Sequence, residues 1–243
     1  GSAKIDDGKG VILDHPDVRR MIITMKSLTA AVRALCLDAA LSLDLSKSND
    51  KQVASKEKAR ASFLIPIAKA FSTDIGCRVA DIGIQVHGGM GYVEETGVAQ
   101  VLRDVRVTAI YEGTNGIQAI DLIGRKLFDS GKAANGLIDE IKLTISECYE
   151  NKDKQIAEMG AKLSKSLACL ETSLHWMLGQ EDFNERLAGA TPFLKAFGLI
   201  LGGNYLVKAA LKTGSLDRKS LAQFYCLNVL PEMEAYGAMS QSG

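Results

Sequence analysis

The chain has 243 residues, enough for one large or two small domains with a proper hydrophobic core. Its 29 basic and 29 acidic residues cancel, which argues against nucleic acid as a partner, because nucleic-acid binders carry a basic excess. With 47% hydrophobic and 24% charged residues it has a globular balance, and four prolines and 6% aromatics favour helix over sheet.

Gly1-Ser2 reads as the remnant of a cleaved expression tag and Gly8-Lys9-Gly10 as a linker, so residues 1–13 stand apart. Asp14-His15-Pro16 suits a helix entry. After it Val18, Met21, Met25, Leu28, Val32, Leu35 and Ala39 recur at steps of three and four. This predicts a helix to about Ser46, then a polar break over Ser46–Asp50. A second helix is predicted from about Ser55, with Leu64, Ala68, Phe71, Ile75, Val79 and Ile82 inward. Pro66 should bend it and Gly88-Gly89 should stop it. Gly97 to Ile110 reads as a short helix with Val98, Val101, Leu102 and Val105 inward. The segment Tyr111–Gly116 interrupts the pattern. Ile117, Ile120, Ile123, Gly124 and Leu127 then resume it, with Thr114 or Asn115 as N-cap.

A boundary is expected at Ser130-Gly131-Lys132, dividing residues 14–130 from 131–243. Beyond it Leu137, Ile141 and Ile145 begin one helix, and Ile156, Met159, Leu163, Leu167, Leu170, Leu174 and Met177 mark the next. A third runs from Asp182 to Leu211 on Phe193, Phe197, Ile200, Asn204, Val207 and Leu211. Leu221, Phe224, Tyr225 and Val229 form a last one, stopped at Pro231. The fold class is therefore all-α, two stacked groups of antiparallel helices with short connections. No apolar run is read as long enough for a membrane span.

The five cysteines form no C-x-x-C pair and read as reduced thiols of a reducing compartment, Cys36 and Cys77 as small buried hydrophobes. His15, His87 and His175 show no metal-ligand spacing, so no metal is expected. His87 is read as a packing or hydrogen-bonding residue, Arg103-Asp104 as an ion pair or solvated face, and Trp176 as core.

Two segments stand out: Gln85-Val86-His87-Gly88-Gly89-Met90-Gly91-Tyr92 and Tyr111-Glu112-Gly113-Thr114-Asn115-Gly116-Ile117-Gln118. Glu112 has no local charge partner, the nearest along the chain being Arg106 and Asp121. Partly desolvated between apolar helices, it would have a raised pKa and act as a general base near neutral pH; otherwise it is a helix-end or solvated carboxylate. The glycine turn is either a helix stop or a place where backbone N–H groups approach an anion.

Together, with Arg103-Asp104 between them at matching intervals, these segments resemble the C-terminal signature of the acyl-CoA dehydrogenases, flavoenzymes that introduce a double bond into acyl-CoA thioesters. The resemblance covers about residues 14–130. It implies that Glu112 removes the α-proton while FAD takes the β-hydride, and that the Glu112 N–H and a flavin hydroxyl stabilise the thioester oxygen. It implies that Tyr111 and Gly113 lie against substrate and that Thr114 touches FAD. It also implies that Gln85, Gly88 and Gly89 reach the FAD of a neighbouring subunit. Where the family often has Gln two residues after that threonine, this chain has Gly116.

The partners so implied are acyl-CoA, a second copy of the chain in a dimer or tetramer, and an electron-accepting flavoprotein. The family's middle β-domain, and a preceding helix whose Arg contacts FAD, have no counterpart here. The expectation is thus a C-terminal fragment, inactive by itself. Residues 131–243 resemble the additional helical C-terminal domain of larger, mostly bacterial members, which implies a bacterial cytoplasmic location; their periodic stripes without site-like polar clusters point to packing or oligomerisation. The competing reading is a non-catalytic helical assembly module that retains the family fold.

Overall fold

A computed structural model describes residues 10–242; Gly1-Ser2 and Gly8-Lys9, read as scar and linker, lie outside the described residues. The described residues are helical and contain no strand. Helices α1 (Pro16–Leu45) and α2 (Lys51–His87) form a long hairpin. Asp50 starts α2 four residues earlier than Ser55, because its carboxylate accepts from the N–H groups of Gln52 (2.8 Å) and Val53 (3.2 Å). Pro66 is buried, and α2 is assigned as one helix through it.

A single turn, α3 (Gly89–Tyr92), leads to α4 (Val98–Arg106), and α5 (Asn115–Asp121) continues into a π-helical turn over Leu122–Lys126. The apolar flank of α4 is less covered than its periodicity predicts. Val105 rests near Gly76, but Val101 is 57% exposed, since α4 lies along the edge of the hairpin. In α5 the stripe is rotated: Ala119, Leu122 and Ile123 are buried, whereas Ile117 and Ile120 face outward.

Then follow α6 (Lys132–Glu150), α7 (Lys154–Gly179), α8 (Phe183–Ala188), α9 (Ala190–Thr213), α10 (Leu216–Asn228) and α11 (Glu232–Met239). All seven residues of the stripe Ile156–Met177 are buried. The single helix expected from Asp182 to Leu211 is two helices. They break at Gly189, where the Ser240 carbonyl and the Met177 methyl approach too closely for a side chain. Pro231 does not end the chain of helices. It stands as N-cap of α11, which was not anticipated. Cys36 is exposed, not buried, with its sulfur 3.5 Å from the Ser72 hydroxyl.

The core runs across the boundary expected near residue 130. Helix α9 packs against α1, α2 and α5 as well as α7, α10 and α11, and the buried residues of both stretches form one cluster. Against the sequence reading, α9 is by length and composition apolar enough to cross a membrane; here 72% of its apolar window is buried in the protein. Two glycines let it lie close. A β-carbon at residue 198 would stand 2.7 Å from Cδ2 of Phe71, and one at residue 202 would stand 2.6 Å from the Tyr225 hydroxyl. That hydroxyl donates to the Leu199 carbonyl at 2.9 Å. A polar clamp adds to this contact: Arg60 on α2 bridges Asp38 of α1 (2.6 Å) and Glu140 of α6, and the Tyr205 hydroxyl of α9 donates to Asp38 at 2.6 Å. Burial, then the neighbouring Asp38 carboxylate, pushes the Tyr205 phenol up, so it remains a donor.

Alanine has the higher helix propensity by about 1 kcal/mol, so Gly136→Ala on the open face of α6 should stabilise the protein by up to that amount. Gly198→Ala should do the reverse, costing about 1–3 kcal/mol as the Phe71 ring is displaced. Urea midpoints of the two variants check both signs.

Candidate active site

The loop Tyr111–Thr114 crosses the side of α2 between α4 and α5. Glu112 has φ +52° and Gly113 φ +85°. The left-handed region costs a non-glycine residue about 1–2 kcal/mol, so something must hold Glu112 there. Two side chains grip the backbone around it. Gln118 donates to the Glu112 carbonyl at 3.3 Å, and the Lys69 ammonium donates to the Gly113 carbonyl at 2.7 Å. The Glu112 N–H meets no protein acceptor among the described residues. Glu112 is exposed, so of the two readings the sequence left open, the solvated carboxylate describes it within this chain. The helices on either side do not close over it.

Beneath the loop lies a residue that sequence reasoning took only as a possible cap. Asn115 is the first residue of α5, and its amide joins α5 to α2. Its oxygen accepts from Lys69 (2.9 Å), and its nitrogen lies within donating distance of Asp74 (2.7 Å), the Thr73 hydroxyl (2.9 Å) and the Ala70 carbonyl (3.1 Å), while the Thr73 hydroxyl itself donates to the Lys69 carbonyl (2.9 Å). Asp74 in turn pairs with Lys195 of α9 at 3.3 Å. Lys69, Asp74 and Lys195 carried no local signal in the sequence. Lys69 and Asp74 share α2, but Asn115 and Lys195 lie far along the chain, and the group meets only when α2, α5 and α9 pack.

Thr114 is the N-cap, its hydroxyl oxygen accepting from the Ile117 N–H at 3.3 Å, which leaves its own proton free to donate. Behind α5 a cavity of about 560 Å³ opens between α2, α9 and α11, with Arg106 and Tyr236 on its walls. The Arg78–Glu232 pair spans its edge at 2.7 and 2.9 Å, and those hydrogen bonds raise the Arg78 pKa against the effect of burial.

The second motif stands elsewhere. Gln85 lies sixteen residues beyond Lys69 on the same helix, so at a rise of about 1.5 Å per residue it is about 24 Å along the axis from the Glu112 loop. Gly88 adopts φ +60° and ψ −143°, a conformation reserved for glycine, and it ends α2. Gly91 is needed for packing, since a β-carbon there would stand 2.9 Å from the Ile84 Cα. Gln85, Gly88 and Gly89 are exposed, and added β-carbons at the two glycines would meet open space. His87 bonds the Gly83 carbonyl through Nδ1 at 2.8 Å. Arg103 pairs with Glu94, not Asp104, at 2.7 and 2.9 Å; these hydrogen bonds lower the Glu94 pKa.

Comparison with known proteins gives two family matches: "Acyl-CoA dehydrogenase, C-terminal domain" over residues 3–128, and "Acetyl-CoA dehydrogenase C-terminal like" over residues 137–243. The chain is 39% identical over 203 residues to 3-methylmercaptopropionyl-CoA dehydrogenase of Ruegeria pomeroyi, covering 82% of this chain and 34% of that protein. It is 29% identical over 255 residues to a butyryl-CoA dehydrogenase of Syntrophomonas wolfei, covering 96% of this chain and 41% of that one. The chain thus spans about a third to two-fifths of these relatives' length. Among solved structures, Caenorhabditis elegans ACDH-11 in complex with C11-CoA superposes with a TM-score of 0.73 at 22% identity, covering 87% of this chain and 36% of that one. An acyl-CoA dehydrogenase complexed with FAD from Bacillus anthracis gives 0.61 at 19% identity, covering 93% and 42%. These two likenesses concern the fold.

Thr114→Ala removes the cap and should cost about 1 kcal/mol of stability, read as a lowered urea midpoint.

Proposed function

The chain belongs to the acyl-CoA dehydrogenase family, and on that footing we propose that it is the C-terminal part of an FAD-dependent acyl-CoA dehydrogenase with Glu112 as its base. The observation that carries this reading is the conformation of Glu112. It is a carboxylate held in a strained backbone region by Lys69 and Gln118, exposed, and with its N–H meeting no acceptor among the described residues. Strain maintained by dedicated hydrogen bonds is a mark of a functional position.

When bound, FAD supplies the acceptor for the β-hydride. The Glu112 carboxylate takes the α-proton, and the electron pair of that C–H bond becomes the new Cα–Cβ double bond. The Glu112 N–H donates to the thioester oxygen as negative charge develops there. Substrate and the upstream part of the protein provide the cover that this chain lacks, and loss of water strengthens the carboxylate as a base.

The residues present fit part of an FAD site. Thr114 has a hydroxyl proton to give, and Gln85 and the open turn at Gly88-Gly89 present an exposed amide side chain and uncrowded backbone. Gly116 offers no side chain for a cofactor contact. The separation of about 24 Å between the loop and the turn favours their service to two different cofactors, hence a homo-oligomer in which the turn reaches a neighbour's FAD. Acyl-CoA is the substrate in this reading, and an electron-accepting flavoprotein reoxidises the enzyme. The 243-residue chain by itself neither retains stoichiometric FAD nor oxidises acyl-CoA.

In protein that includes the upstream segment, Glu112→Gln should keep its flavin, and bleaching by acyl-CoA should slow by about 10²–10⁴-fold or more. Stopped-flow absorbance decides this; bleaching at the unaltered rate contradicts the assignment.

A further inference from the structure

The amide of Asn115 has opposite demands at its two ends. Its oxygen faces the Lys69 ammonium, and its nitrogen faces three acceptors, the Asp74 carboxylate, the Thr73 hydroxyl and a backbone carbonyl. A carboxylate at this position would set one oxygen against Asp74 and against the Ala70 carbonyl. An alanine would satisfy neither end, and a glutamine would be a methylene too long for the same seat. The residue is thus matched to its surroundings by both polarity and length.

What the amide holds is the loop. Lys69 has one ammonium group shared between Asn115 and the Gly113 carbonyl, so Asn115 sets where that ammonium stands, and the ammonium sets the peptide next to Glu112. On the opposite side Asp74 is shared between Asn115 and Lys195 of α9. We infer that Asn115 is a positioning residue for the Glu112 loop, and that α9 steadies the loop through the chain Lys195–Asp74–Asn115–Lys69–Gly113. The inference rests on Glu112 as the base. It gives residues beyond 131 a part in the chemistry, because α9 supplies Lys195. The arrangement keeps the strained Glu112 backbone in one place while its side chain stays free to meet substrate, and a displacement of about 1 Å at such a group costs on the order of a hundredfold in rate.

Two arms test this. In the 243-residue chain, Asn115→Ala should raise amide hydrogen exchange over residues 111–118 by about tenfold while α7 and α9 keep native protection. In the FAD-loaded enzyme with its upstream segment, Asn115→Asp should lower kcat by about tenfold to a hundredfold with flavin content and KM near native. The α-deuterium isotope effect on flavin reduction should rise as proton abstraction becomes slower. Asn115→Asp/Asp74→Asn restores donor opposite acceptor and should recover part of the loss. Lys69→Met and Lys195→Met carry the test if Asn115→Asp loses its flavin; each should lower kcat with KM kept, Lys195→Met by less. Native kcat in all of these, or parallel loss of flavin, stability and activity, overturns the inference. Glu112→Gln run alongside separates the two ideas: if that variant is inactive while the Asn115 and lysine variants are native, the relay is wrong and the base assignment stands.

Discussion

Where α9 passes Phe71 it has no side chain to spare: the aromatic ring lies in the volume that a β-carbon at Gly198 would occupy. One turn away, the same two helices present Asp74 and Lys195 to each other, and the next turn of α2 brings Arg78 to Glu232 of α11. The contact between a flat ring and bare backbone therefore sets the register of α2 against the C-terminal helices. Phe63 and Phe193 extend it as edge-to-face partners of Phe197, with centroids 5.1 and 5.8 Å apart. Tyr225 then occupies the matching notch at Gly202. Everything polar around the loop follows from that register.

This explains why a loop with few apolar contacts of its own is well defined. Tyr111, Glu112, Gly113 and Thr114 are all exposed. The order comes from below, through Asn115 and Lys69, and from the adjacent Gln118. A carboxylate presented in this way is fixed in backbone and open in side chain. That suits the role of base proposed for Glu112.

Much of this was legible in the sequence. The spaced motifs identified the family, and clean 3–4 periodicity located α1, α6 and α7 because those helices bury one continuous face. The misses have physical causes. Ile117, Ile120 and Val101 fit the apolar period but stay exposed among the described residues. Asp50 began α2 early because a capping carboxylate outweighs a polar run. The break at Gly189 is set by Ser240, some fifty residues on, and α9 is apolar all round because helices surround it. Lys69, Asp74 and Lys195 could not be found by pattern, since a charged residue on a half-buried helix face resembles any solvated one until its partner is known. The two motifs stand about 24 Å apart along α2, a distance that their interval along the chain does not reveal.

The central claim is that Glu112 abstracts the α-proton, and it is tested most directly when proton transfer is separated from hydride transfer. An acyl-CoA with sulfur in place of its β-carbon has no β-hydride to give, while its α-proton is made more acidic. Were its deprotonated form bound beside oxidised flavin, the pair would give a long-wavelength charge-transfer band. The account predicts that band in the native protein and its loss in Glu112→Gln; an undiminished band in the variant would contradict it.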